Sequence, residues 1–165
     1  MQPTVTAVLV ARNGAKYLPR TLAALAAQTR RPDRVIPVDA GSSDATPELL
    51  RQAAPSGLVS TPGRRAFGAA VAHALQADSA SPGADEWLWL LGHDNAPAPG
   101  ALSALLGAVE VAPSVAVAGP KLMRWDDPAV IAGFGETVTA LGRSVELVVD
   151  ELDQAQHDVR SDLLG

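Results

Sequence analysis

A chain of 165 residues with 18 acidic against 13 basic side chains, a formal net charge of -5, is long enough for one domain and not comfortably for two. Apart from Arg30-Arg31 and Arg64-Arg65 it has no basic stripe, which argues against binding the phosphates of a nucleic acid. Lack of cysteine excludes disulfides and thiolate metal sites, and 47% hydrophobic residues with 4% aromatics predict a core of small side chains in close helix–sheet contact.

Residues 5–10 are a β-branched and aliphatic run that predicts a strand, closed by the turn signal Arg12-Asn13-Gly14. From Leu18 the spacing turns helical. Leu18, Leu22, Leu25 and Ala26 share one face, and the helix should end near residues 29–32. Val35-Ile36-Pro37-Val38 predicts a second strand, which runs into Asp39-Ala40-Gly41-Ser42-Ser43-Asp44. Thr46 then reads as the cap of a helix whose first position is Pro47. A short third strand at 57–60, an Ala-rich helix at 66–77, a strand at 86–91, a helix at 100–111 and a strand at 115–118 follow. This alternation implies right-handed crossovers and a largely parallel sheet, an α/β fold. Past Pro120 the pattern changes to two β-rich pieces, 130–134 and 137–149, with Leu141-Gly142-Arg143 as a hairpin turn. Residues 150–165 are polar and show no clear period.

Met1-Gln2-Pro3-Thr4 lacks the charged start of a signal peptide. The mostly apolar residues 101–120 are interrupted by Gly107, Glu110 and Pro113, so no membrane span is expected.

The most informative stretch is Trp87-Leu88-Trp89-Leu90-Leu91-Gly92-His93-Asp94-Asn95-Ala96-Pro97. Its apolar half reads as a strand buried on both faces, with Trp87 and Trp89 as core residues. Asp94 then sits just past the strand's carboxyl end, where open α/β sheets place ligands. Asp39 follows the second strand in the same way and Asn13 follows the first, so the three should converge on one crevice. Asp-Ala-Gly-Ser-Ser-Asp is also an ordinary turn and cap sequence, and the repeated pattern of an acid after a strand is what raises it above that. A lone carboxylate can hold a hard divalent cation, and the cation a phosphate. Gly-rich phosphate loops are absent from the sequence, so phosphate would be handled through such a cation. His73 reads as a surface or packing residue, and His157 as a loop residue or one that reaches the site.

Several segments together resemble the family 2 glycosyltransferases, inverting enzymes of the GT-A fold. They are Val8-Leu9-Val10-Ala11-Arg12-Asn13-Gly14, Tyr17-Leu18-Pro19-Arg20-Thr21-Leu22, Val38-Asp39-Ala40-Gly41-Ser42-Ser43-Asp44-Ala45-Thr46, Phe67-Gly68-Ala69-Ala70-Val71 and Leu90 through Pro97. Gly119-Pro120-Lys121 and Glu151-Leu152-Asp153-Gln154-Ala155-Gln156-His157-Asp158 are similar to a branch of large actinobacterial cell-envelope members. The resemblance implies one GT-A domain over residues 1–165, a Rossmann-like, mostly parallel sheet flanked by helices with a hairpin extension, truncated at its carboxyl end. It implies transfer of a sugar, with inversion, from a nucleotide-diphosphate donor, expected to be UDP-linked, to a glycan or lipid-linked acceptor. Asp39 matches the acid that bonds the base, and Ala11 and Arg12, with Asn13 beside them, line the base pocket. Arg65 and Gly68 cover the nucleotide from the other side. Asp94 matches the acid that binds Mg2+ or Mn2+.

The pattern departs from the family in two ways. Gly92-His93 stands where an acid normally precedes the metal ligand, which should lower cation affinity. His93 then either contacts a ribose hydroxyl or phosphate, binds a softer metal, or marks a weakened site. The family's catalytic base lies well downstream of the metal motif, so the resemblance implies a base beyond Gly165. None stands out among Asp126, Asp127, Glu136, Glu151 and Asp153, since Asp126-Asp127-Pro128 reads as a turn and the Glu151 to Asp158 run as a solvated loop. The alternatives are a non-catalytic nucleotide-sugar-binding remnant and a nucleotidyltransferase, for which Ala11-Arg12-Asn13-Gly14 is a poor basic loop. A cytoplasmic protein is expected, at the inner face of the membrane if the chain continues into spans, and an exposed sheet surface would allow a homodimer.

Overall fold

The structure, a computed structural model, describes residues 3–54, 57–78, 86–111 and 114–158. The chain forms two compact units, Met1–Leu102 and Ser103–Gly165.

The first unit is a parallel sheet in the order β3-β2-β1-β4, built from β1 (Thr4–Ala11), β2 (Arg34–Asp39), β3 (Val59–Ser60) and β4 (Glu86–Gly92). Its helices are α1 (Leu18–Ala26), α2 (Thr46–Ala53) and α3 (Phe67–Ala77). β1 is buried from Val5 to Ala11, as a central strand covered on both faces must be. One core cluster joins Val8 and Val10 of β1, Ile36 and Val38 of β2, and Ala70, Val71 and Ala74 of α3. The small residues of α3 let its backbone lie close to the sheet, as the composition predicts.

Four local expectations need correction. β4 is not buried on both faces: Trp89 and Leu91 are buried, but Leu88 and Leu90 are 40% and 47% exposed. β4 ends the sheet, while α3 packs on β1 and β2, so the face carrying Leu88 and Leu90 is left open. Residues 115–118 form no strand, and Val117 is 74% exposed. A β-branched run without a pairing partner gains nothing from extended structure. Thr46 is not the cap of α2. The helix starts at Thr46 with Pro47 second, and the Asp44 carboxylate accepts the Thr46 N–H at 3.0 Å. α1 ends at Ala26 rather than near 29–32, and it buries Leu18, Thr21 and Leu25 while Ala26 is exposed.

In the second unit, β6 (Val130–Val138) pairs antiparallel with β5 (Leu122–Met123), β7 (Ser144–Val148) and β8 (Glu151–Leu152). The expected hairpin is present, with Gly142 at φ 75 in its turn. The Nζ of Lys121 donates to Asp153 at 2.6 Å and Asp158 at 2.7 Å, clasping together the two stretches that resemble the actinobacterial branch. This raises the Lys121 pKa above its ordinary value, through Asp153 first and then Asp158. His157 stacks on Phe134 with ring centroids 5.4 Å apart. Residues 159–165, the end of the predicted polar stretch, lie outside the described residues. α4 (Ala101–Glu110) spans the boundary between the units, and no helix among the described residues is long and apolar enough to cross a membrane.

Candidate functional site

The strand register sets the level of the rim. Ala11 pairs with Asp39 and Val10 with Gly92, so β1, β2 and β4 end together. The chain moves from β1 outward to β2 and β3 and then returns to the other side of β1 for β4. Such a reversal opens a crevice beyond the strand ends, between β1 and β4.

A pocket of about 200 Å3 lies there. β1 lends Val10, the residue after it lends Arg12, and the residue after β2 lends Ala40. β4 and its turn lend Gly92, His93 and Asp94, while Arg65 and Phe67 come from the start of α3 and the segment before it. Of the residues singled out from the sequence, Arg12, Arg65, His93 and Asp94 are thus brought together. Ala11, Asn13, Asp39 and Gly68 are not in the lining. Asp39 is 7% exposed, and its Oδ1 accepts the Ser42 N–H at 3.1 Å.

Asn13, at φ 49, binds two loops together: its N–H donates to Ser42 Oγ at 3.0 Å and its Oδ1 accepts the Ser43 N–H at 2.8 Å. Beside it the Gly14 N–H donates to Thr46 Oγ1 at 2.8 Å, and the Ala15 N–H to Asp44 Oδ2 at 3.1 Å. Hydrogen bonding with Thr46, foremost, holds the Asp44 carboxyl below its ordinary pKa.

His93 is clamped by its neighbours. A Cβ on Gly14 would lie 2.4 Å from His93 Cδ2, so only glycine leaves room for the ring. Thr21 donates its hydroxyl to the His93 carbonyl at 2.6 Å. The turn itself is closed by Asn95, whose Oδ1 accepts the Gly92 N–H at 2.7 Å. Downstream, Gln28, which is 4% exposed, donates to the Ala98 carbonyl at 2.7 Å and accepts the Leu102 N–H at 3.2 Å.

The opposite wall is held as firmly. Gly41 has φ 81, and a Cβ there would lie 2.6 Å from the carbonyl carbon of Gly63. The Thr61 N–H donates to the Asp39 carbonyl at 3.0 Å and its hydroxyl to the Gly63 carbonyl at 2.9 Å.

Among the described residues the pocket's charges, Arg12, Arg65 and Asp94, have no ion-pair partners. Arg12 Nε is buried without a hydrogen bond. Such an array suits an anion, because guanidinium N–H groups are strong donors to phosphate oxygens. Asp94 is exposed, and no group of three potential metal ligands exists among the described residues. A single carboxylate fits a hard cation whose remaining ligands are water and phosphate oxygens, and does not make a cage of its own.

Sequence reasoning did not single out the Val10, Ala40 and Phe67 walls, or the bracing by Thr21 and Gln28. Phe67 precedes Ala70, Val71 and Ala74 at helical spacing and so reads as core; knowing where the sheet ends is what separates it from them.

Residues 6–128 match the family model for glycosyl transferase family 2. N-acetylglucosaminyl-diphospho-decaprenol L-rhamnosyltransferase of Mycobacterium tuberculosis, found in two strains, is 31% identical over 137 residues, 79% of this chain and 44% of the relative. The chain therefore spans less than half the length of these curated relatives. Among solved structures, S. aureus TarS in complex with UDP superposes with a TM-score of 0.55 at 15% identity, over 75% of this chain and 40% of that one. Glucosyl-3-phosphoglycerate synthase from Mycobacterium tuberculosis, in complex with Mg2+ and UDP, gives 0.50 at 22% identity, over 65% and 39%. These likenesses identify the fold as GT-A.

Proposed function

The chain belongs to glycosyl transferase family 2, and from that premise we propose that its pocket binds the nucleoside diphosphate of an activated sugar. The whole protein would transfer that sugar to an acceptor hydroxyl. The observation that carries this reading is the convergence of Arg12, Arg65, His93 and Asp94 at the switch point, with Arg12 Nε buried and unpartnered.

In this reading Arg12 and Arg65 neutralise the diphosphate. Asp39, with Ala11 beside it at the rim, serves the base, which we take to be uracil. Asn13 braces the loop under the nucleotide, and Gly68 keeps the covering segment free of side-chain bulk. Asp94 would hold Mg2+ or Mn2+, which would supply charge stabilisation to the departing diphosphate. The acceptor oxygen bonds to the anomeric carbon from the face opposite the leaving group, and the carbon–oxygen bond to the diphosphate breaks, giving inversion. The hydroxyl proton goes to a general base that we assign to chain beyond residue 165, in keeping with the greater length of the relatives. A lipid-linked acceptor is supported by the rhamnosyltransferase relative, whose name includes a diphospho-decaprenol group.

A second reading is a binding module that has lost the chemistry. The observation favouring it is Gly92-His93 in place of an acid beside Asp94. His93→Asp separates the two: a weakened metal site should gain metal-dependent UDP affinity, and an intact one should not.

Calorimetric titration of UDP with and without Mn2+, beside Asp94→Ala, tests the main reading. Binding that needs the metal and is lost in the variant is expected. A folded sample that binds no UDP under either condition overturns it.

A further inference from the structure

We propose that Phe67 is the stacking wall for the donor's nucleobase, which lays the base on the β2 side of the pocket and the diphosphate on the β4 side. This rests on the donor-site reading above and assigns a role to a residue that the reading leaves unused.

The reasoning starts from the helix. In α3 the buried residues are Ala70, Val71 and Ala74, which face the sheet. Phe67 lies three, four and seven positions before them, so it belongs to the same stripe. Yet it is 43% exposed and lines the pocket. The first turn of α3 reaches past the strand ends, so the stripe's largest side chain faces the crevice instead of the core.

Phe67 cannot easily fold away. The segment ahead of it is fastened to the end of β2 by the Gly41–Gly63 backbone approach and by the Thr61 N–H bond to the Asp39 carbonyl, while the Thr61 hydroxyl bond to the Gly63 carbonyl holds the segment's own turn. The other apolar side chains lining the pocket are those of Val10 and Ala40, both small. An aromatic face among small aliphatic side chains makes a slot for a flat ring.

The polar groups are set apart from this slot. His93 and Asp94 follow β4, and Ala40 follows β2, with β1 between them. Neighbouring strands are about 4.8 Å apart, so the two sides of the pocket are separated by roughly 10 Å. A nucleoside diphosphate spans such a distance from base to distal phosphate. Arg12, which follows β1, sits midway.

The test compares wild type with Phe67→Ala, Phe67→Leu and Phe67→Tyr, titrating UDP, uridine and inorganic pyrophosphate in the presence of Mn2+. Phe67→Ala should weaken UDP and uridine about tenfold, within the range for loss of one base–aromatic stack, and leave pyrophosphate unchanged. Phe67→Tyr should bind as wild type, and Phe67→Leu, equally apolar but without a π face, should fall between. Unchanged UDP affinity in Phe67→Ala overturns the proposal while the donor site stands. An equal loss for pyrophosphate also overturns it, because the ring would then be holding the pocket's shape. If wild type binds no UDP, the donor reading falls and takes this assignment with it.

Discussion

At the amino ends of β1, β2 and β4 charged groups are matched to one another, whereas at the carboxyl ends they are not. Thr6 donates its hydroxyl to Glu86 at 2.5 Å, and Arg34 forks onto Asp78 at 2.5 and 3.2 Å with Glu86 3.8 Å away. Asp33 accepts from Arg30 at 2.7 Å and from the Val5 N–H at 2.8 Å; the Arg30 bond, foremost, holds its carboxyl below the usual range. At the other rim Arg12, Arg65 and Asp94 have no such partners among the described residues. Satisfied charge at a sheet end serves folding. A buried guanidinium N–H without a partner, as at Arg12 Nε, is costly to the fold and is explained by a ligand that completes it.

Gly41→Ala should break the comparison most severely. Its φ of 81 disfavours any side chain, and the new Cβ would meet Gly63 at 2.6 Å, so the 61–65 segment must move. A loss of about 2–4 kcal/mol in urea denaturation is expected, together with a drop in UDP affinity of more than tenfold. If stability falls and UDP affinity does not, that segment is no wall of the site.

Arg34→Ala should do the reverse. It removes the guanidinium from beside Asp78 and Glu86, whose side chains are 18% and 11% exposed, while Arg34 itself is 40% exposed. Solvent screening at Arg34 reduces the buried-pair figure, leaving about 1–3 kcal/mol of stability. UDP affinity should not change. An affinity loss matching the stability loss would mean the two ends of the sheet are not independent.

A smaller effect sharpens the picture at the rim itself. Gly14→Ala places its Cβ 2.4 Å from the His93 ring, which must swing out. About 1–2 kcal/mol should be lost, and part of it regained in the double variant with His93→Ala, which removes the ring atoms at 2.4 and 2.6 Å and leaves only the Cβ at 2.8 Å. Additive losses would show that Gly14 is needed for its backbone and not for the ring.

The parallel half of the molecule could be read from the sequence because its signals are local. Runs such as 5–10 and 86–91 allow few alternatives to a strand, and register then carries Arg12, Ala40 and Asp94 to one level. The faults lay where tertiary context decides. Leu88 and Leu90 look like core residues, and only the position of β4 at the end of the sheet exposes them. Residues 115–118 have strand propensity, but pairing depends on partners distant in sequence. Thr46 has the chemistry of a cap, but its hydroxyl is claimed by Gly14, a loop 32 positions away. Phe67 illustrates the same limit at the site. Helical spacing tells which stripe it joins, and nothing local tells that the stripe outruns the sheet.

The smallest expected effect concerns acid, and it places one lowered carboxyl at each end of the strands. Asp33 is held low at the amino end by Arg30, and Asp44 at the carboxyl end by Thr46. In both cases the folded pKa lies below the unfolded value of about 3.9, so the stabilisation is fully present above that pH. It is lost as pH falls through the lower folded value. Unfolding midpoints measured from pH 6 down to pH 3 should therefore fall less steeply below about pH 4 in Asp33→Asn and in Asp44→Asn than in wild type. The ends are separated by the length of β1, roughly 25 Å at 3.3 Å per residue, so the two flattenings should add in the double variant. The ends differ in what protonation releases. Loss of the Asp44 charge loosens the N–H groups of Ala15 and Thr46, and with them the loop that carries Asn13 and Gly14 beside His93. Loss of the Asp33 charge loosens only Arg30 and the start of β1. At pH 6, Asp44→Asn should thus weaken UDP binding a few-fold and Asp33→Asn not at all, and equal effects would remove the distinction between the two ends.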